Sequence, residues 1–138
     1  MRDISFRAWD EGKKKMADVQ QLQFFLGDVD SIMAKPIGWS KESTGAKGRP
    51  ILMQYTGLKD KNGKPIFEGD IVKYYDSTTM WLNAEVIFSD GSFAVKHPDP
   101  KMEQDIELRQ FTYQDMKGIE VIGNIYENPE LLKIGGAL

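Results

Sequence analysis

The chain has 138 residues, 41% hydrophobic and 28% charged, with 18 basic and 21 acidic side chains and a formal net charge of −3. These proportions exclude a disordered tail and supply a hydrophobic core for one domain, 1–138. The acidic balance argues against a broad basic face for nucleic acid or anionic lipid. No apolar run reaches the roughly 18 residues of a membrane span, and the absence of cysteine favours a reducing, cytoplasmic setting.

Residues 1–26 read as an N-terminal hairpin. Ile4, Phe6 and Ala8 share one strand face, and Asp10-Glu11-Gly12-Lys13 is a turn in which Gly12 is able to take a positive φ. Residues 15–26 then return as a strand, although Met16, Val19, Gln23 and Leu26 would also fit a helical face. The alternation of charged and apolar residues from Met1 to Arg7 lacks the uninterrupted apolar stretch of a signal peptide. Residues 27–50 read as irregular, with Ile32, Met33, Ile37 and Trp39 either in a short strand or packed under a loop. Within them, 40–49 is polar and contains two glycines, which predicts a mobile loop.

Residues 51–126 carry the β core. Ile51 to Thr56 is a strand, Gly57 a turn glycine, and Lys59 to Lys64 a turn built on Asn62-Gly63. Glu68-Gly69-Asp70 is a second tight turn, leading into a strand from Ile71 to Tyr75. Met80, Leu82, Ala84, Val86 and Phe88 alternate as one face of a strand, and Asp90-Gly91 turns it into a partner with Phe93, Val95 and His97 on one face. After the break at Pro98 and Pro100, Ile106 and Leu108 suit a strand and Phe111 to Met116 a short helix. Ile119 to Tyr126 reads as a buried strand, in which Gly123 signals a bulge or a close backbone approach. A short helix over 128–134 follows, with Asn128 as cap and Pro129 at its first position. The fold class predicted is mainly β: a small SH3-like barrel or sandwich of short antiparallel strands, with the added N-terminal hairpin and the C-terminal helix.

Familiar chemistry is missing. Gly57 and Gly63-Lys64 have the wrong spacing for a P-loop, and no Gly-x-Gly-x-x-Gly occurs. Asp60-x-Asn62-Gly63 fails as a calcium loop, because Leu58 would be the first ligand. One histidine and no cysteine cannot build a usual zinc site. The sequence therefore predicts no cofactor and no metal.

Three blocks resemble the YopX family of phage and prophage proteins: Phe6-Arg7-Ala8-Trp9-Asp10 with Lys14-Lys15-Met16, the run from Leu52 to Val72, and the run from Ile119 to Leu132. The resemblance implies a small, largely β protein encoded by a phage or an integrated prophage. It carries over no catalytic residue.

Two uses of the surface compete. Trp9, Trp39, Tyr55, Tyr74, Tyr75 and Trp81 exceed what one small core accommodates, which points to a non-enzymatic, self-associating module binding copies of itself or a phage or host protein. Alternatively, Arg2, Arg7, Lys13, Lys14 and Lys15, with Lys35, Lys41, Lys47 and Arg49 of the long loop, form a patch for nucleic acid. A third reading, hydrolysis by Glu68, Asp70 or His97, has only residue type in its favour, because no second element is seen to point at them.

Overall fold

The computed structural model describes residues 3–25, 28–36, 51–75, 81–101 and 105–132, with the backbone alone for 20–25 and 28–36. The chain divides into two compact units, Met1–Tyr55 and Thr56–Leu138.

The first unit is an antiparallel meander. Strand β1 (Phe6–Asp10) pairs with β2 (Lys15–Phe25), and β2 pairs with β3 (Asp28–Pro36). On its other side β1 pairs with the opening of β4 (Ile51–Lys59), in the register Phe6 with Gln54 through Trp9 with Ile51. Two expectations need correction here. Residues 28–36 are not irregular but a nine-residue strand, because backbone pairing with β2 overrides their weak side-chain pattern. The left-handed residue of the first turn is Lys14, at φ 54, and not Gly12. Asp10 takes the local amide instead, its Oδ1 accepting from Lys13 N–H at 3.0 Å. The loop 40–49 lies outside the described residues.

The second unit holds β5 (Pro65–Phe67) and a sheet in the order β10-β6-β7-β8-β9, formed by β6 (Asp70–Tyr75), β7 (Trp81–Ser89), β8 (Ser92–Val95), β9 (Ile106–Glu107) and β10 (Ile119–Asn124). The mainly β, antiparallel class and the curled half-barrel accord with the small barrel or sandwich expected. Its core gathers Ile66, Val72, Tyr74, Ala84, Val86, Val95, Leu108, Ile119 and Val121, with Leu58, Leu82, Phe93, Ile106 and Phe111 packed around them.

Local chemistry shapes its turns. Ser89 pairs with Ser92, and both intervening residues are left-handed, Asp90 at φ 51 and Gly91 at φ 83; two positive φ values match the twist of the flanking strands. Gly63 and Gly69 sit in their expected turns, and Asp70 opens β6 with Oδ2 accepting from Phe67 N–H at 2.8 Å. Gly57 lies inside β4 and takes the left-handed backbone expected of it, at φ 86. The Met80–Phe88 alternation fails at its end: Phe88 is 56% exposed, because β7 runs past the edge of the core.

The last segment forms a short helix where one was expected, of the 3-10 kind over Pro129–Leu132, with 133 and 134 outside the described residues. Asn128 does not cap forward; its Oδ1 accepts from Asn124 N–H at 3.2 Å, pulling the side chain back over β10. A Cβ on Gly123 would stand 2.5 Å from that oxygen. The register of β10 against β6 shifts between Val121 and Gly123, so the bulge and the close approach occur together.

Candidate binding surface

Tyr74 points into the core and is fully buried, so strand alternation sends Lys73 and Tyr75 outward. On β7, Ala84 faces inward, which puts Trp81, Asn83 and Glu85 on the outer face. Tyr75 and Trp81 are direct cross-strand partners, 42% and 45% exposed. Their rings meet edge to face, with centroids 5.3 Å apart and an interplanar angle of 61°.

Two ammonium groups flank the indole: Lys73 Nζ lies 5.6 Å and Lys61 Nζ 5.8 Å from its ring centroid. Both are within cation–π range. Lys61 comes from the turn before β5 and also pairs with Glu120 Oε2 at 3.2 Å. Asn62 Nδ2 donates to Glu120 Oε1 at 3.3 Å. Glu120 and Asn83 are the register partners of Lys73 on either side, so one polar row borders the aromatic pair. Among the described residues, two lysines flank the ring pair, and the carboxylates on this outer face are Glu120 and Glu85.

The turn that presents Lys61 is fastened by Asp60, which is 5% exposed. Its Oδ1 accepts from Asn62 N–H at 2.8 Å and Lys64 N–H at 2.9 Å. Its Oδ2 accepts from the buried Val121 N–H at 2.9 Å. Three charge-assisted bonds on one carboxylate tie the turn to β10.

The structure sorts the aromatic candidates. Tyr75 and Trp81 come together in solvent. Trp9, at 5% exposure, and Tyr74 are buried, and Tyr55 is half-buried, so these do not offer the interaction surface expected of them. Burial and the nearby charge of Asp3 push the Tyr55 hydroxyl above its ordinary value. Trp39 lies outside the described residues, as do Arg2, Lys41, Lys47 and Arg49. Of the basic patch, Lys13, Lys14 and Lys15 are exposed in the first turn, where Lys14 Nζ pairs with Glu11 at 3.3 Å, while Arg7 is half-buried.

Lys61 and Lys73 were missed by sequence reasoning. The available signal was the inward Tyr74, which fixes Lys73 and Tyr75 on one face. Phe88 and Tyr113, 56% and 84% exposed, were missed as well.

His97 lines a depression of about 190 Å³ with Ala84, Glu85, Lys96, Pro98 and Leu132. Its Nδ1 accepts from Asp99 N–H at 3.0 Å. Half-burial pushes the Glu85 carboxyl above its ordinary value, against the opposing pull of the Lys96 charge. A second depression, of about 330 Å³, is lined by Ser89, Asp90, Ser92, Ala94, Asp105, Glu107 and Gln110. No helix among the described residues is long and apolar enough to cross a membrane.

These features define a small antiparallel β protein of two compact units. Within that class, the family described as YopX protein matches residues 5–133, and the chain belongs to the YopX family. A curated relative, the SPbeta prophage-derived uncharacterized protein YopX of Bacillus subtilis strain 168, is 39% identical over 72 residues. That match covers 51% of this chain and 52% of the relative, about half of each. The crystal structure of protein EF1440 from Enterococcus faecalis aligns with a TM-score of 0.65 and 32% identity, covering 96% of this chain and 100% of that one. The crystal structure of yopX from Bacillus subtilis aligns with a TM-score of 0.56 and 26% identity, covering 94% and 98%.

Proposed function

We propose that this chain is a prophage-associated interaction module with no catalysis of its own, working as an assembly of copies. The observation that carries the reading is how the second unit uses its aromatic rings. Its core is closed by Tyr74 and Phe111, yet Phe88 stands 56% exposed, edge to face on Phe93 with centroids 5.1 Å apart. Phe88 has no polar handle, and full burial of such a side chain is worth about 1.5–3 kcal/mol. A ring held by a neighbour loses little freedom on contact, and the contacts between identical subunits are the more apolar kind. Against hydrolysis by the residues the sequence offered, Asp70 serves the turn at Phe67, and the Nδ1 of His97 accepts from Asp99 N–H.

Light scattering over a wide concentration range tests the reading. The expected result is a mass above 15.7 kDa that falls in Phe88→Ser while that variant stays folded, its melt lowered only modestly by loss of the Phe93 ring contact and of association. A strict monomer at every concentration would refute self-association.

A further inference from the structure

We infer that the outer face at Tyr75 and Trp81 is a binding platform for single-stranded nucleic acid, separate from the contact proposed at Phe88. Three observations converge there. Two large rings stand side by side in solvent on adjacent strands, 42% and 45% exposed. Two lysine ammonium groups stand within 6 Å of the indole centroid, at 5.6 and 5.8 Å. The scaffold under them is rigid, because Tyr74 anchors β6 in the core and Asp60 anchors the turn carrying Lys61.

The occupant follows from this pairing of ring and charge. An unpaired strand presents flat bases and anionic phosphates alternately, so a base stacks on an aromatic face while a lysine neutralises the phosphate beside it. A duplex hides its base faces, and two cations are too few to hold it by charge alone. An acidic peptide would use the lysines but leave the rings idle. The net charge of −3 does not decide the matter, since a small footprint is governed by the charges next to it, here the two lysines beside the indole.

Both lysines are exposed, and Lys61 is shared with Glu120. Between one and two phosphates are therefore neutralised. For single strands this gives a slope of log affinity against log salt between about −0.7 and −1.4. The slope is shallow, and a small footprint of this kind leaves the acidic remainder of the surface uninvolved.

The test is fluorescence anisotropy of the full chain with a labelled twelve-residue thymidine oligonucleotide, from low to physiological salt. Binding should show that slope. Trp81→Ala should weaken it by about 5- to 150-fold, the range for loss of one stacked base. Trp81→Phe should retain part of it, and Lys73→Gln should lower the slope by about 0.7. Phe88→Ser should bind as the parent does, which separates this platform from self-association. Circular dichroism of each variant should show the folded spectrum and a cooperative melt, lowered only slightly where the Tyr75–Trp81 or Phe88–Phe93 ring contact is lost. No binding at low salt would overturn the inference. So would equal affinity for the duplex, equal competition by a glutamate twelve-mer, or indifference to both Trp81→Ala and Lys73→Gln in folded protein. A change of molecular mass in Trp81→Ala without oligonucleotide would assign the face to a second copy instead, and would equally overturn it.

Discussion

Replacing Asp60 by alanine removes three acceptor contacts at once, to Asn62, Lys64 and Val121. The first two donors lie in an exposed turn and can turn to water, so each loss is worth about 0.5–1 kcal/mol. Val121 is 8% exposed and its N–H has no such recourse; leaving it unsatisfied costs about 1–3 kcal/mol. The gain from no longer desolvating a carboxylate offsets part of this. The net expectation is about 3 kcal/mol, a fall in melting temperature on the order of 10 °C for a chain of this size. Asp60→Asn separates the contributions. Its amide oxygen can still serve Asn62 and Lys64, but its amino group would face the Val121 N–H, donor against donor. Asp60→Asn should therefore recover less than half of the loss. Urea unfolding gives the magnitudes, and hydrogen exchange at the Val121 amide gives the location. An Asp60→Ala variant within 0.5 kcal/mol of the parent would refute the assignment of Asp60 as the clamp.

Gly123→Ala should destabilise by about 1–3 kcal/mol, because its Cβ would lie 2.5 Å from Asn128 Oδ1; adding Asn128→Gly should restore much of that in chemical denaturation. Glu85→Gln should stabilise the protein at neutral pH. With the folded carboxyl raised above its ordinary 4.5, the stability it lends is complete in acid and lost as pH rises through the folded titration. Melts of parent and variant should therefore diverge on going from pH 4 to pH 7, and parallel curves would count against burial of the charge. Lys14→Gly should raise stability by about 0.5–1 kcal/mol, since the left-handed backbone at φ 54 penalises a side chain by more than its exposed pair with Glu11 returns.

The strands of the second unit were legible because their chemistry is local. Asp90-Gly91 has the turn sequence that two positive φ values require, and Leu82, Ala84 and Val86 alternate over a true core. Gly123 announced its close neighbour, though not that the neighbour was Asn128. What stayed hidden depends on distant pairing. Strand β3 owes its existence to β2, and the clamp at Asp60 depends on an amide 61 residues away. The platform was half legible. Tyr75 and Trp81 were singled out from composition, but a sequence cannot tell them from Trp9 and Tyr74 until the face of each is known. Lys61 reaches the indole from a turn that no strand periodicity describes.

The seam between β6 and β10 has a bearing on how the chain is made. Asp60 reaches Val121, Lys61 N–H donates to Ile119 C=O at 3.1 Å, Ile125 N–H donates to Gly69 C=O at 2.9 Å, and Asp70 is the register partner of Asn124. Every one of these links joins the 60–70 region to residues 119–125. On a ribosome, β6, β7 and β8 emerge in succession and can pair as they appear, but the flank of β6 that awaits β10 stays bare until residues 119–124 have followed some fifty residues later. A strand with one open flank is a template for any other extended chain nearby. Premature termination before residue 119 would thus yield more than a shorter protein: it would release a nearly finished sheet with its adhesive side uncovered.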